Sequence, residues 1–217
     1  MTTTKDDVLA ALAAGDHTAA TWAANHLPYG AGTPELVRAC LEAGATDAAM
    51  WAAYNLPDGA GTPELVLACI EAGNHHAARK AADHLPDGAS SPELVRACLE
   101  AGNHDAAWWA AHYLPNGAAT LELVRACLDA GAYLTAKEAA RHLPDGVATR
   151  HANIGPHAVR SFNLDGEAWL IVGCELHSAA EWIACADEID YRNDSPGLAA
   201  ETRELAERLI AGAETCG

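Results

Sequence analysis

The chain has 217 residues, half of them hydrophobic but only 6% aromatic, so alanine supplies much of its apolar content and the composition leans towards helix. That length suits one or two domains with a sizeable core. The net charge of −17 is spread over both parts, with 8 Lys/Arg against 18 Asp/Glu in residues 1–148 and 5 against 12 in residues 149–217, which leaves no basic stripe for free nucleic acid and disfavours anionic membranes.

In chain order, five units of 29 residues begin at Thr4, Thr33, Thr62, Ser91 and Thr120. The second and fourth differ at 8 of their 29 positions. The first is degenerate at its front and the fifth drifts at its end, as terminal repeats do. Each unit carries two helix signatures. In the second unit Thr33-Pro34-Glu35 supplies a capping hydroxyl, a proline at the first helical position and an acid in the first turn. Leu36, Val37, Cys40 and Leu41 form one apolar stripe, Gly44 ends the helix, and Arg38 can pair weakly with Glu42. A second helix runs from about Asp47 to Leu56 before the Pro57-Asp58-Gly59 turn. Two such helices cannot bury their faces alone, so the expected fold is mostly α: a right-handed α-solenoid of five helix-turn-helix units over residues 1–148, namely 4–32, 33–61, 62–90, 91–119 and 120–148.

Projected at about 100° per residue, the constant Ala48, Ala49, Ala52, Ala53 and Leu56 share one arc, the buried face. The varied positions lie opposite. They are Asp47, Met50 and Tyr54 in the second unit, His76, Arg79 and Asp83 in the third, and Asp105, Trp108 and His112 in the fourth. Trp22, Trp51, Lys80, Trp109 and Glu138 form a flanking column. Drift at solvent-facing positions explains such variation, and so does a recognition surface. Trp, Tyr, His and Arg are the types enriched at binding hot spots, whereas drift favours Lys, Glu, Gln and Ser. The candidate binding residues are therefore Trp22, Met50, Trp51, Tyr54, His76, Arg79, Lys80, Asp83, Asp105, Trp108, Trp109 and His112, with Trp108-Trp109 beside His112-Tyr113 as the leading patch.

Cys40, Cys69, Cys98 and Cys127 recur at one repeat position. Stacked units would hold them about 10 Å apart, beyond the reach of a disulfide, so they read as small core residues. The odd total of seven cysteines favours a reducing compartment. His26, His84 and His142 share another column separated by whole repeats, and the local clusters at Asn74-His75-His76 and His112 lack the thiol or acidic partners of a closed zinc site. No metal ligand, catalytic residue or cofactor is assigned.

Residues 149–157 read as a linker, and residues 158–217 as an α+β module of a β-hairpin and two helices. Asp165-Gly166 is a type I′ turn signal between AVRSFNL and EAWLIVGC. Ser178 and Glu181 form a capping box opening a helix to about Asp190, and Ser195-Pro196 starts another, with Leu198, Leu205 and Leu209 on one side and Glu204 paired with Arg208 outside. The string VGCELHSAAEW resembles a C-terminal module, roughly G-C-x-x-H-[ST]-x-x-x-W, that follows repeat arrays in bacteriophage and bacterial proteins. Gly173, Cys174, His177, Ser178 and Trp182 stand at the matching positions, and the likeness covers residues 158–211. It implies no particular activity. The repeats are similar to other two-helix arrays of the HEAT kind. Their TPE openings also resemble the DNA-reading repeats of plant-pathogen effectors, but those units are longer and their superhelix is basic, so that function does not carry over.

The expected function is a non-catalytic protein-binding scaffold, phage-encoded and directed at a host or defence protein, with the acidic surface favouring a basic partner. Two alternatives stay open. One is a small enzyme or metal-binding module at Cys174 and His177 with the solenoid as its targeting arm. The other is an acidic nucleic-acid mimic. Free nucleic acid and membranes are not expected partners, and nothing in the sequence sets an oligomeric state. WLIVGC is too short to span a bilayer and MTTTKDDVL is no signal peptide, so a cytoplasmic location is expected, the host cytoplasm for a phage protein.

Overall fold

The five repeats fold into ten nine-residue helices whose ends are set by the same few side chains. In this computed structural model, which describes residues 3–154, 157–173, 175–193 and 198–214, the first helices of the units are α1 (Lys5–Ala13), α3 (Pro34–Glu42), α5 (Pro63–Glu71), α7 (Pro92–Glu100) and α9 (Leu121–Asp129). The second helices are α2 (His17–Asn25), α4 (Thr46–Tyr54), α6 (His75–Asp83), α8 (His104–His112) and α10 (Tyr133–Arg141). The hydroxyls of Thr33, Thr62, Ser91 and Thr120 each accept the backbone N–H three residues on, at 3.1–3.3 Å, which satisfies a donor that the first turn leaves free. Gly44, at φ 71°, closes α3. Its N–H reaches the Leu41 carbonyl and that of Ala45 reaches Cys40, both at 2.9 Å. This is a Schellman ending that an L side chain would strain. The Arg38–Glu42 pair expected from spacing does not form.

Burial follows the projection. Ala48, Ala49, Ala52, Ala53 and Leu56 are wholly buried, as are the equivalent alanines of α6 and α8. Each second helix packs on the next, α2 on α4, then α6, α8 and α10, and these contacts are more extensive than those between successive first helices. Alanine explains the asymmetry, because it lets backbones approach closely while Leu and Val hold the first helices further apart. Three devices join the units. The side-chain amide of Asn74 donates to the Thr46 carbonyl at 2.8 Å, and Asn103 does the same to His75 at 3.0 Å. Asn55 Nδ2 donates to Ala24 at 3.1 Å. The loop leaving each unit also donates a backbone N–H to the end of the next second helix: Gly32 to Asn55 and Gly61 to His84 at 2.8 Å, Ser90 to Tyr113 and Ala119 to His142 at 3.2 Å.

The stretch read as a linker is instead strand β1 (Thr149–Ile154), and His157 already belongs to β2 (His157–Leu164). With β3 (Glu167–Val172) and β4 (Glu175–Ser178) they form an antiparallel sheet in the order β1-β2-β3-β4, so four strands replace the expected hairpin. The polar β1 sequence carries little alternation; it is a strand because β2 offers it a ladder. The turn at Asp165 (φ 53°) and Gly166 (φ 85°) has the two positive angles of type I′. β3 is apolar on both faces because both are covered. Leu170 and Val172 pack with Trp182, Leu205 and Ala206 of helices α11 (Ala179–Asn193) and α12 (Leu198–Glu214), while Ile171 and Trp169 join Phe162 and Leu164 in the core of the array. The Ser178–Glu181 capping box forms at 3.0 and 3.3 Å. Ser195 and Pro196, expected to open the last helix, and Cys174 lie outside the described residues, and Glu204 makes no ion pair with Arg208. Cations fasten the sheet to the array. Arg160 donates to the Arg141 carbonyl and, at 3.0 Å, to that of Leu143, and so covers the C-terminal end of α10. Arg141 reaches the Gly173 carbonyl at 3.0 Å, and Arg125 pairs with Asp165. No helix among the described residues is long and apolar enough to cross a membrane.

Candidate functional site

The varied side chains of α4, α6, α8 and α10 stand on one ridge, because the alanine stripe behind them fixes which way each helix turns. Starting from α2, Trp22 is 61% exposed and stacks on His26 at 4.2 Å; it lines neither of the grooves below. Met50, Trp51 and Tyr54 of α4 face His76, Arg79 and Lys80 of α6 around a groove of about 190 Å³. There Trp51 meets Tyr54 edge-on at 5.7 Å, and the Lys80 ammonium lies 4.7 Å from the Tyr54 ring and 3.2 Å from Asp83. Lys80 and Asp83 are therefore engaged with their neighbours.

A larger groove of about 540 Å³ opens between α8 and α10. It is walled by Trp108, Trp109, Tyr133 and Leu134, with Arg79 and Asp105 at its margin. Trp108 meets Trp109 at 4.6 Å and 75° and stacks on His112 at 5.5 Å and 15°. Such offset and edge-on pairs preorganise the aromatic wall. Trp109 also lies over Tyr113, whose hydroxyl donates to the Asp83 carbonyl at 3.0 Å. The Arg79 Nε is 3.7 Å from an Asp105 oxygen, and both groups are well exposed, so this pair contributes little to stability. Arg79 lines both grooves.

Two readings of the sequence change. Glu138, placed in the outward column, is buried at 4% exposure because His112 Nδ1 at 3.1 Å and an Arg141 nitrogen at 3.0 Å both hold its carboxylate. A buried carboxylate held by two partners is part of the framework, so His112 is a strut as much as a contact residue. The second change is an addition. Tyr133 and Leu134, 66% and 65% exposed, are walls of the larger groove that the sequence reading passed over. Leu134 stands one repeat after Asp105 in the same column, so carrying the register into the fifth unit would have found it.

The repeated cysteines are buried free thiols, and burial pushes them up to about 11 at Cys40 and about 12 at Cys69, Cys98 and Cys127. They are poor nucleophiles. His26, His84 and His142 are the C-cap residues of α2, α6 and α10. Among the described residues no three His, Cys, Asp or Glu side chains group as a metal site. His177 lies 3.3 Å from Glu175, 3.8 Å from Glu181 and edge-on to Trp182 at 5.2 Å. It borders a cleft of about 300 Å³ that shares Tyr133 and Leu134 with the larger groove.

Comparison with protein-family models, with curated proteins and with solved structures returned no match.

Proposed function

We propose that this chain is a non-catalytic protein-binding scaffold whose ten repeat helices form a right-handed α-solenoid and whose second-helix ridge takes the partner. The observation that carries the reading is the groove between α8 and α10, where two tryptophans, a tyrosine and a leucine line an open volume of about 540 Å³. Leu134 and Tyr133 remain about two-thirds exposed there, and exposed apolar side chains gathered in one concavity are what partner binding covers. The solenoid reading is supported by the closer packing of successive second helices than of first helices, which bends a stack of units towards the ridge and makes it the inner face.

The test is affinity capture of partner protein by the intact chain and by a variant carrying Trp108→Ser, Tyr133→Ser and Leu134→Ser. These residues are preferred to Trp109 and His112, which also hold Tyr113 and Glu138. Partner retained by the intact chain and lost by a variant of unchanged helicity supports the ridge. Equal retention by both overturns it.

A further inference from the structure

Resting on that reading of the ridge, we infer that its occupant is an extended, cationic protein segment with two large apolar side chains six residues apart. The two grooves, α4/α6 and α8/α10, are separated by two helix-to-helix steps, and Arg79 lines both. Neighbouring packed helices lie about 8–10 Å apart, so the grooves are roughly 16–20 Å apart. A segment crossing the helices advances about 3.3 Å per residue as a strand, and side chains of one face recur every second residue. Six residues then span about 20 Å and return a side chain to the same face. A polyproline helix gives the same answer, since its threefold period and rise of about 3.1 Å place residue six over residue zero at about 19 Å. Three or four residues fall short, and five point the second anchor away from the ridge. A helical segment would need a dozen or more residues for the same span.

The charge follows from where the acid lies. The five second helices carry four Asp/Glu against four Lys/Arg, whereas the five first helices carry ten against four. The ridge is thus a balanced strip on a molecule of net charge −17. Asp58 and Asp145, 89% and 80% exposed, lie in the turns after α4 and α10, where Asp58 accepts the Tyr29 hydroxyl and Asp145 faces Arg150 and Arg160. Apolar anchors suit the strip, and Lys or Arg at both ends of the segment is drawn by the net negative charge of the molecule, which speeds encounter and opposes acidic competitors.

The experiment uses the whole chain and fluorescently labelled peptides of one length, read by anisotropy. The lead probe has two Lys, Leu, a five-residue Ser/Gly spacer, Leu and two Lys. One comparison peptide moves the leucines to three residues apart, a second replaces Lys by Glu, and a third replaces both Leu by Ser. The lead probe should bind at least about tenfold more tightly than each, the equivalent of about one buried anchor or of the charge difference at low salt. Met50→Ser in one groove and Leu134→Ser in the other should each reduce its binding by about tenfold, with helicity unchanged. Equal binding of the three-residue and six-residue spacings, with loss in both variants, overturns the two-anchor inference and leaves the ridge reading standing. Equal or tighter binding of the Glu peptide overturns the charge assignment in the same way. Binding of the lead probe that survives both variants overturns the inference and the ridge together, and no binding at all overturns the inference while the capture assay judges the ridge.

Discussion

Replacing Gly61 by alanine puts the inter-repeat joint to a quantitative test. A Cβ on Gly61 would stand 2.2 Å from the Ala81 carbonyl oxygen and 2.8 Å from the His84 carbonyl carbon, both backbone atoms. Taken alone, that clash forecasts a severe loss. The next two units contain their own control, since Ser90 and Ala119 fill the same position and their N–H bonds to Tyr113 and His142 are 3.2 Å, against 2.8 Å from Gly61 to His84. Joints that carry a Cβ therefore exist in the same array, with this bond about 0.4 Å longer and the neighbouring backbone shifted to suit. Forced overpacking costs about 1–3 kcal/mol, and the stiffer unfolded chain of the alanine variant returns about 0.4–1 kcal/mol. The net loss should be about 1–2 kcal/mol, which for a chain of this size lowers Tm by roughly 2–8 °C. The assay is a far-UV circular dichroism melt, with Ala119→Gly as the reciprocal variant. That variant should change stability by less than about 0.5 kcal/mol, because a tighter bond offsets the added unfolded entropy. A fall beyond about 10 °C for Gly61→Ala would show that the joint cannot yield, and a rise would show that the close approach exerts no constraint; either result refutes the reasoning.

Stability should form a plateau between about pH 6.5 and 9, falling on both sides, as urea titration across pH will show. Burial holds His142 and His151 below the usual histidine value of 6.5. The unfolded chain then binds more protons below that value, so their contribution is complete above pH 6.5 and is lost on acidification. Further down, Glu35, Glu64, Glu93 and Glu122 add loss of the same sign below about 4.5, each held low by its own backbone N–H and then by the capping hydroxyl. On the alkaline side the four buried thiols, raised to about 11 or 12 from 9.0, retain their protons when the unfolded chain gives them up, so stability falls as pH rises past 9. Ala45→Asn should stabilise the chain by about 1 kcal/mol in urea unfolding. The equivalent Asn74 and Asn103 cap their helices and reach back one unit, whereas Ala45 makes no side-chain cap; an unchanged midpoint would mean the amide does not reach. In native-state alkylation mapped by mass spectrometry, exposed Cys185 should be modified while Cys40, Cys69, Cys98 and Cys127 stay protected until denaturant is added; early labelling of the four would contradict their burial.

Much of this architecture is local and so was readable from residues alone. The 29-residue period, the Thr/Ser caps, the glycine ends and the alanine stripe each act within a few residues of their own backbone, as the capping bonds and the burial of Ala48, Ala49, Ala52 and Ala53 show. The two positive φ angles at Asp165-Gly166 are equally local. Most of the candidate ridge was legible for the same reason, since a helix with a known buried face has a known exposed one.

Tertiary structure decided what depends on neighbours distant in sequence. Thr149–Ile154 is a strand because β2 pairs with it. Glu138 is buried because His112, 26 residues before it, supplies a hydrogen bond. Tyr133 and Leu134 become groove walls only because α8 brings Trp108 and Trp109 against α10. A repeat sequence specifies which side of each helix faces outward, through forces that act over one turn. The depth of the space between two helices and the pairing of the charges across it are set by side chains about a whole repeat away, and only packing brings those together.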